Sequence, residues 1–127
     1  MSALRWPAIE RLYVVLVALH SLAIGVVLLF LTEWGLAFGG FHDVRPLFFP
    51  RQAGAFHLVV AAAYLYDHLV HGRVTVMVMT KGLAVVFLCG AWALTPVPWL
   101  VPLSALGDGL MAALAVHVHR RAGGARP

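Results

Sequence analysis

Four stretches of this chain hold few charged residues, and each is about as long as a bilayer is thick. The clearest runs from Leu12 to Leu31, which is twenty residues without a charge. A helix of that length covers the roughly 30 Å of hydrocarbon in a membrane. We therefore predict an all-α fold, an integral membrane up-down four-helix bundle. The predicted helices lie at about residues 11–31, 51–71, 74–94 and 98–119.

The composition supports a single transmembrane domain over residues 1–127. Only 11% of the residues are charged, whereas an average soluble domain carries about 25%. The one cysteine, Cys89, excludes an internal disulfide and a Cys-x-x-Cys metal or redox motif. A secretory signal peptide is the alternative for the first stretch. Because that stretch is longer than a usual signal core and no small-x-small cleavage site follows it, we predict a retained helix.

The distribution of basic residues predicts the orientation. Arg45 and Arg51 lie at one end of the predicted bundle, and Lys81 lies within the third helix. The other six basic residues fall at the opposite end and are Arg5, Arg11, Arg73, Arg120, Arg121 and Arg126. The positive-inside rule then places both termini in the cytoplasm, as expected for a bacterial-type inner membrane protein. The basic excess is thereby assigned to membrane orientation and not to a nucleic-acid partner.

The segment from Thr32 to Pro50 is predicted to be an aromatic interfacial connector between the first two helices. Gly39-Gly40 and the prolines Pro46 and Pro50 argue against one continuous helix. Its five aromatic residues suit the membrane–water boundary, where aromatic side chains concentrate. We expect an interfacial loop, with a substrate lid over the bundle mouth as the alternative.

Polar side chains of the second helix fall on one face. Residues separated by three or four positions share a face of a helix. That spacing joins Gly54, His57, Ala61, Tyr64, His68 and His71, and it leaves out Tyr66 and Asp67. We predict that this stripe faces the bundle interior. Leu58, Val59 and Leu65 are then expected to lie nearer to lipid.

Each predicted helix also contributes one polar group at a similar depth, counted at about 1.5 Å per residue. These groups are His20, Tyr64, Lys81 and Asp108. A lone Lys or Asp at the centre of a membrane helix costs about 2.5–3.5 kcal/mol, so we expect Lys81 and Asp108 to pair. Ionisable groups inside a membrane mark functional sites by default. A structural lock between two helices, or a lysine that snorkels to the surface, is the alternative.

The predicted ligand-binding or buried polar cluster comprises His20, Arg51, His57, Tyr64, Lys81 and Asp108. No catalytic residue and no metal ligand is predicted. A b-type haem is an alternative occupant, since its iron takes axial histidines from facing helices. His20 would supply one of them, and His57, His68 or His71 the other, although their depths differ. His117 and His119 are interpreted as interfacial residues.

Three short motifs carry a family resemblance. Arg51-Gln-Ala-Gly54 opens the second helix, Lys81-Gly82 lies in the third, and Asp108-Gly109 lies in the fourth. In these motifs and in its four short helices, most of the chain resembles the small DoxX-like membrane proteins. Some members of that family are membrane subunits of thiosulfate:quinone oxidoreductases, and many have no assigned activity. The resemblance implies a quinone as the ligand. A second similarity, to sterol-isomerase-like four-helix membrane proteins, is opposed by the single intramembrane acid, because their pockets hold several.

Three functional hypotheses follow. The first is a small integral membrane subunit or small-ligand-binding module, with a quinone as the implied ligand and with no catalysis of its own. The second is a small transporter or proton-coupled carrier that uses Lys81, Asp108, His20 and Tyr64. The third is an electron-transfer membrane anchor that bears haem b. The expected partners are the lipid bilayer and either further copies of this chain or the other subunits of a larger membrane complex.

Overall fold

The computed structural model describes residues 5–123, which are helical apart from short connections. The helices are α1 (Trp6–Phe30), α2 (Thr32–Phe38), α3 (Phe48–His71), α4 (Thr75–Leu94) and α5 (Leu100–Gly123). No β-strand occurs in that range, so the predicted all-α class is confirmed. Each of the four predicted helices is present. The first begins earlier and the last ends later than the sequence indicates.

Four of these helices, namely α1, α3, α4 and α5, are long and apolar enough to cross a membrane. The chain is therefore a multi-pass membrane protein built on a four-helix bundle. The fifth helix, α2, covers only seven residues and lies in the connector, where the sequence predicts a loop. Leu31 leaves the helical path, with φ −118° and ψ 38°, and so separates α2 from α1. Gly40, with a φ of 82°, turns the chain after α2.

The long helices form two pairs that pack together. α1 packs mainly on α3, and α4 packs mainly on α5; the pairs meet where α1 contacts α5 and α3 contacts α4. The start of α1 and the end of α5 lie together, because the Trp6 ring centre is 6.3 Å from that of His117. The Arg121 guanidinium carbon lies 5.8 Å from the Trp6 ring centre. We call this the terminal end of the bundle, and the opposite end, which carries α2, the connector end.

Small residues and polar groups fill the interior of the bundle, while large apolar side chains cover its outside. The buried apolar residues include Val14, Val17, Ala18, Ala61, Ala105 and Ala115. On the outside of α4, by contrast, Leu83 is 72% exposed and Phe87 is 71% exposed. In a membrane these outer side chains face lipid, and small inner residues let the helices approach closely. A polar side chain in the interior is thus shielded from lipid.

The turn between α3 and α4 is held by Asp67. Gly72 follows α3 in the left-handed conformation, with a φ of 63°, that commonly ends a helix. The chain then reverses, and the Val76 N–H donates a hydrogen bond to Asp67 Oδ2 at 2.9 Å. A carboxylate satisfies a free N–H group at a helix N-terminus and interacts favourably with the helix dipole. Asp67 is consequently only 7% exposed, although the spacing leaves it out of the polar stripe.

Candidate functional site

An ion pair inside the bundle links α4 to α5. The Lys81 Nζ atom lies 2.6 Å from Asp108 Oδ1, and the two side chains are 5% and 15% exposed. The antiparallel turn between the two helices brings these positions face to face, and the long lysine side chain closes the remaining difference in depth. The predicted pairing is confirmed. At this separation and burial the two charges compensate each other, which offsets part of the cost of placing them in the membrane.

Two hydroxyl groups from the other helix pair lie beside this ion pair. Ser21 of α1 is fully buried and Tyr64 of α3 is 2% exposed. The Tyr64 hydroxyl lies within reach of the hydroxyls of Ser21 and Thr80 and is close enough to Asp108 for electrostatic interaction. Neither Ser21 Oγ nor the Tyr64 oxygen has a hydrogen-bond partner of good geometry within residues 5–123. The polar neighbours within reach of the Tyr64 hydroxyl are thus the Ser21 and Thr80 hydroxyls, and the contacts between them are poorly aligned.

Two histidines border the same group. His57 of α3 is half-buried, and its Nδ1 atom is buried without a hydrogen-bond partner among the described residues. It interacts electrostatically with Lys81, Asp108 and His20. His20 of α1 interacts with the same two charged residues. Both histidines thus belong to the electrostatic surroundings of the ion pair.

His20 nevertheless lies on the exposed side of α1, which differs from the inward position that the sequence suggests. The buried positions of α1 recur every three or four residues and include Val17, Ser21 and Gly25. Each residue turns a helix by about 100°, so His20 is rotated off the face that its neighbour Ser21 occupies. The polar group that α1 places deepest in the interior is therefore Ser21, and His20 stands at the edge of the cluster.

Arg51 lies apart from the other predicted site residues. It is exposed near the connector end of α3, where its Nε atom donates a long hydrogen bond of 3.4 Å to Thr32 Oγ1. Together with Thr32, Glu33 and Trp34 it lines a shallow depression of about 320 Å³. Arg51 therefore belongs to the interfacial region and not to the group around Lys81 and Asp108.

The polar stripe of α3 faces largely inward, but two leucines outside the stripe differ from the prediction. Gly54, Ala61, Tyr64 and His68 are buried, His57 is half-buried, and His71 is exposed. Val59 is 64% exposed, as predicted for a residue that faces lipid. Leu58, however, packs against Gly25 of α1, and Leu65 packs against the hydrophobic core. The prediction that these two leucines lie nearer to lipid is wrong, because both pack against other helices of the bundle outside the three-four stripe.

The arrangement combines a compensated ion pair with unused hydroxyl and imidazole groups in a low-dielectric interior. Hydrogen bonds are electrostatically stronger in such surroundings, and unpaired polar groups are correspondingly costly. The group thus places charged and polar atoms together inside an apolar bundle. Protein-family models, curated proteins and solved structures give no match to this chain. Within residues 5–123 no three His, Cys, Asp or Glu side chains are grouped so as to hold a metal ion.

A second polar group, which sequence reasoning missed, lies near the terminal end. Glu10 of α1 is only 1% exposed, and its Oε1 atom lies 2.5 Å from His119 Nδ1 and 3.9 Å from His68 Nδ1. The signal was present in the spacing, since Glu10 continues the buried face of α1 that holds Val14, Val17 and Ser21. Sequence reasoning misses it because the predicted first helix begins at residue 11 and the predicted position of His119 is interfacial.

Proposed function

We propose that this protein is a membrane-embedded binding module for a small lipophilic molecule whose head carries carbonyl or hydroxyl oxygens. A quinone is the leading ligand. The Lys81 ammonium and the Tyr64 hydroxyl are the donors that such oxygens would meet, with His57 and His20 at the edge of the site. The observation that carries the proposal is the set of buried polar atoms beside the ion pair that lack hydrogen-bond partners among the described residues, namely Ser21 Oγ, His57 Nδ1 and the Tyr64 oxygen.

A purely structural lock accounts for the ion pair but not for these three atoms. Lys81 and Asp108 alone suffice to hold α4 against α5. A buried polar group without a partner costs about 1–3 kcal/mol. The Ser21 and Tyr64 hydroxyls lie within reach of each other, whereas His57 Nδ1 has no hydrogen-bond partner among the described residues. A ligand that accepts and donates hydrogen bonds at this place removes that cost. The burial of the group inside an apolar bundle favours a ligand that partitions into lipid.

The resemblance to DoxX-like proteins, some of which are membrane subunits of thiosulfate:quinone oxidoreductases, supports a quinone over other lipophilic molecules. The arginine distribution supports a bacterial-type inner membrane with both termini in the cytoplasm. A 127-residue chain without an assigned catalytic group acts in this proposal as one part of an assembly. Its partners are further copies of the chain or the subunits of a larger membrane complex.

The test is direct binding by the intact protein in lipid nanodiscs. We expect a short-chain ubiquinone to quench tryptophan fluorescence saturably and to raise the apparent melting temperature, as any ligand that binds only the folded state does. Mass spectrometry of an organic extract should identify a quinone that co-purifies in mild detergent. A visible absorbance spectrum of the same sample tests the haem alternative. No saturable binding, with no quinone in the extract, would contradict the proposal.

A proton-coupled carrier is the second candidate. It is favoured by a specific observation, the presence of two groups of titratable residues within the bundle. One is the ion pair of Lys81 and Asp108, and the other joins the buried Glu10 and His68 to the partly exposed His119. Uptake of candidate solutes into proteoliposomes, with and without an imposed pH gradient, distinguishes this function. Solute accumulation that collapses when an uncoupler dissipates the gradient would favour the carrier, whereas quinone binding without solute uptake would favour the binding module.

A further inference from the structure

The shallow depression at the connector end lies where α1 ends and α3 begins. Its volume is about 320 Å³, and its lining includes Phe30, the last residue of α1, and Leu47, the residue before α3. Trp34, which also lines it, is 60% exposed, and Phe48, which follows Leu47, is 63% exposed. Aromatic side chains concentrate at the level of the lipid headgroups. The depression therefore lies at the depth of the lipid phosphates in that leaflet.

The Arg51 guanidinium is held in the depression through one of its three nitrogens. Its Nε atom donates a hydrogen bond of 3.4 Å to Thr32 Oγ1. Thr32 is 3% exposed, and its hydroxyl donates a hydrogen bond of 2.7 Å to the Leu28 carbonyl oxygen. The acceptor of Arg51 is thus anchored to the last turn of α1. The two terminal nitrogens of the guanidinium have no hydrogen-bond partner within residues 5–123.

The charges around the depression favour an anion. Glu33 is the acidic residue of the lining, but its Oε1 atom lies 2.8 Å from Arg45 Nη2. Arg51 forms no ion pair with a carboxylate in the part of the chain that the structure describes. The two arginines and the one glutamate leave a net charge of +1 at this place. An arginine whose terminal N–H groups are free donates two parallel hydrogen bonds to the oxygens of a phosphate.

We propose that Arg51 binds the phosphate of a membrane phospholipid whose headgroup carries no other charge, as in phosphatidylglycerol. The guanidinium donates hydrogen bonds to the phosphate oxygens, and the acyl chains run from the depression into the hydrocarbon of the connector-end leaflet. Because Glu33 is paired with Arg45, the lining offers no unpaired carboxylate to the ammonium of a zwitterionic headgroup. This site is separate from the group around Lys81 and Asp108, so it does not depend on the ligand of the proposed function.

Lipid binding by the full chain in mild detergent tests the site. Native mass spectrometry counts the bound lipids and gives their apparent Kd, and the probe is dioleoyl phosphatidylglycerol. We expect one lipid to bind Arg51→Gln about tenfold more weakly than the natural protein, as for the loss of a charge-assisted hydrogen bond. Arg73→Gln is the matched control, because it removes an exposed arginine at the turn between α3 and α4. This control should keep the affinity of the natural protein.

Glu33→Gln should change the affinity in the opposite direction. Without the Glu33 carboxylate, Arg45 loses its partner and the net charge beside the depression rises from +1 to +2. Phosphatidylglycerol should then bind about two- to fivefold more tightly, the size of an exposed charge interaction. A purely structural role of Arg51 does not predict this increase. Circular dichroism verifies that each variant folds.

Two further probes distinguish the source and the charge of the phosphate. Millimolar inorganic phosphate should not displace the lipid, because it has no acyl chains to place in the hydrocarbon. Dioleoyl phosphatidylcholine should bind more weakly than the phosphatidylglycerol. Displacement by inorganic phosphate would overturn the assignment to a lipid, and equal binding of the two lipids would overturn the assignment to an anionic headgroup. The same phosphatidylglycerol affinity in the natural protein, Arg51→Gln and Glu33→Gln would overturn the site itself.

Discussion

Gly25 of α1 and Gly54 of α3 face each other so closely that a Cβ atom on either would lie 2.9 Å from the carbonyl oxygen of the other. Real Cβ atoms essentially never come this near to a backbone oxygen. The crossing of α1 and α3 near the connector end therefore requires glycine on both sides. Close approach through small residues is a common way for membrane helices to associate. This contact fixes the pair of helices that carries Ser21, His57 and Tyr64.

We predict that Gly54→Ala and Gly25→Ala destabilise the protein by about 1–3 kcal/mol, the usual cost of forcing atoms into a packed interface. The apparent melting temperature in detergent measures the effect. Gly90→Ala is the matched control, because nothing lies within 4 Å of a Cβ built there. Alanine is about 1 kcal/mol better than glycine inside a helix, so the control should be neutral or slightly stabilised. Equal melting temperatures for all three variants would contradict the packing.

The ion pair predicts a coupled response to substitution. Lys81→Met or Asp108→Leu leaves one charge buried without its partner, which typically costs about 3–5 kcal/mol. The double variant buries no charge and should recover much of that loss. Melting temperatures of the natural protein, both single variants and the double variant complete the cycle. If the two single effects simply add, Lys81 and Asp108 do not stabilise the bundle as a pair.

Removal of the Tyr64 hydroxyl should affect ligand binding but not the stability of the ligand-free protein. Because it has no hydrogen-bond partner of good geometry among the described residues, Tyr64→Phe should leave the melting temperature of the ligand-free protein unchanged or raise it slightly. The same variant should bind short-chain ubiquinone about two- to tenfold more weakly, which corresponds to one hydrogen bond. Tyr66→Phe is the control, since Tyr66 is 61% exposed. Unchanged affinity in Tyr64→Phe would remove this hydroxyl from the proposed site.

The arrangement of the helices also predicts the topology. Trp6 and His117 lie at the same end of the bundle, so reporter tags at the two termini should register on one side of the membrane. The positive-inside rule predicts that this side is the cytoplasm. A tag inserted at Gly39, in the connector, should register on the opposite side. Termini on different sides would contradict the bundle, and both termini outside would contradict only the charge rule.

Much of this architecture is readable in the sequence, because a membrane leaves few choices. Long apolar segments become helices, and a lysine and an aspartate at similar depth in neighbouring antiparallel helices have strong reason to pair. Lys81 and Asp108 therefore could be assigned to each other before the structure. The same depth count places His20 at the level of the ion pair along the helix axis. Depth does not determine how α1 is rotated about its own axis, and Ser21 faces inward in place of His20.

The remaining differences come from tertiary contacts that spacing does not encode. Asp67 is off the stripe of α3, yet it is buried because the start of α4 folds back onto it. Leu58 lies outside the same stripe and is covered by Gly25 of α1. Glu10 is one residue before the predicted start of the first helix, and its role depends on His119, more than a hundred residues away. A charged residue near a predicted helix end indicates the membrane–water interface. Only the packing of the helices shows that such a residue is buried against another one.

The most direct test of the proposed site is quinone binding by the double variant Lys81→Met, Asp108→Leu. This protein should fold, since it buries no uncompensated charge, and circular dichroism and its melting temperature verify that it does. We predict that short-chain ubiquinone no longer quenches the tryptophan fluorescence of the folded double variant in nanodiscs in a saturable way. A Gly90→Ala control should bind ubiquinone as the natural protein does. Binding by the double variant with the affinity of the natural protein would contradict the account and would leave Lys81 and Asp108 as a structural lock between α4 and α5.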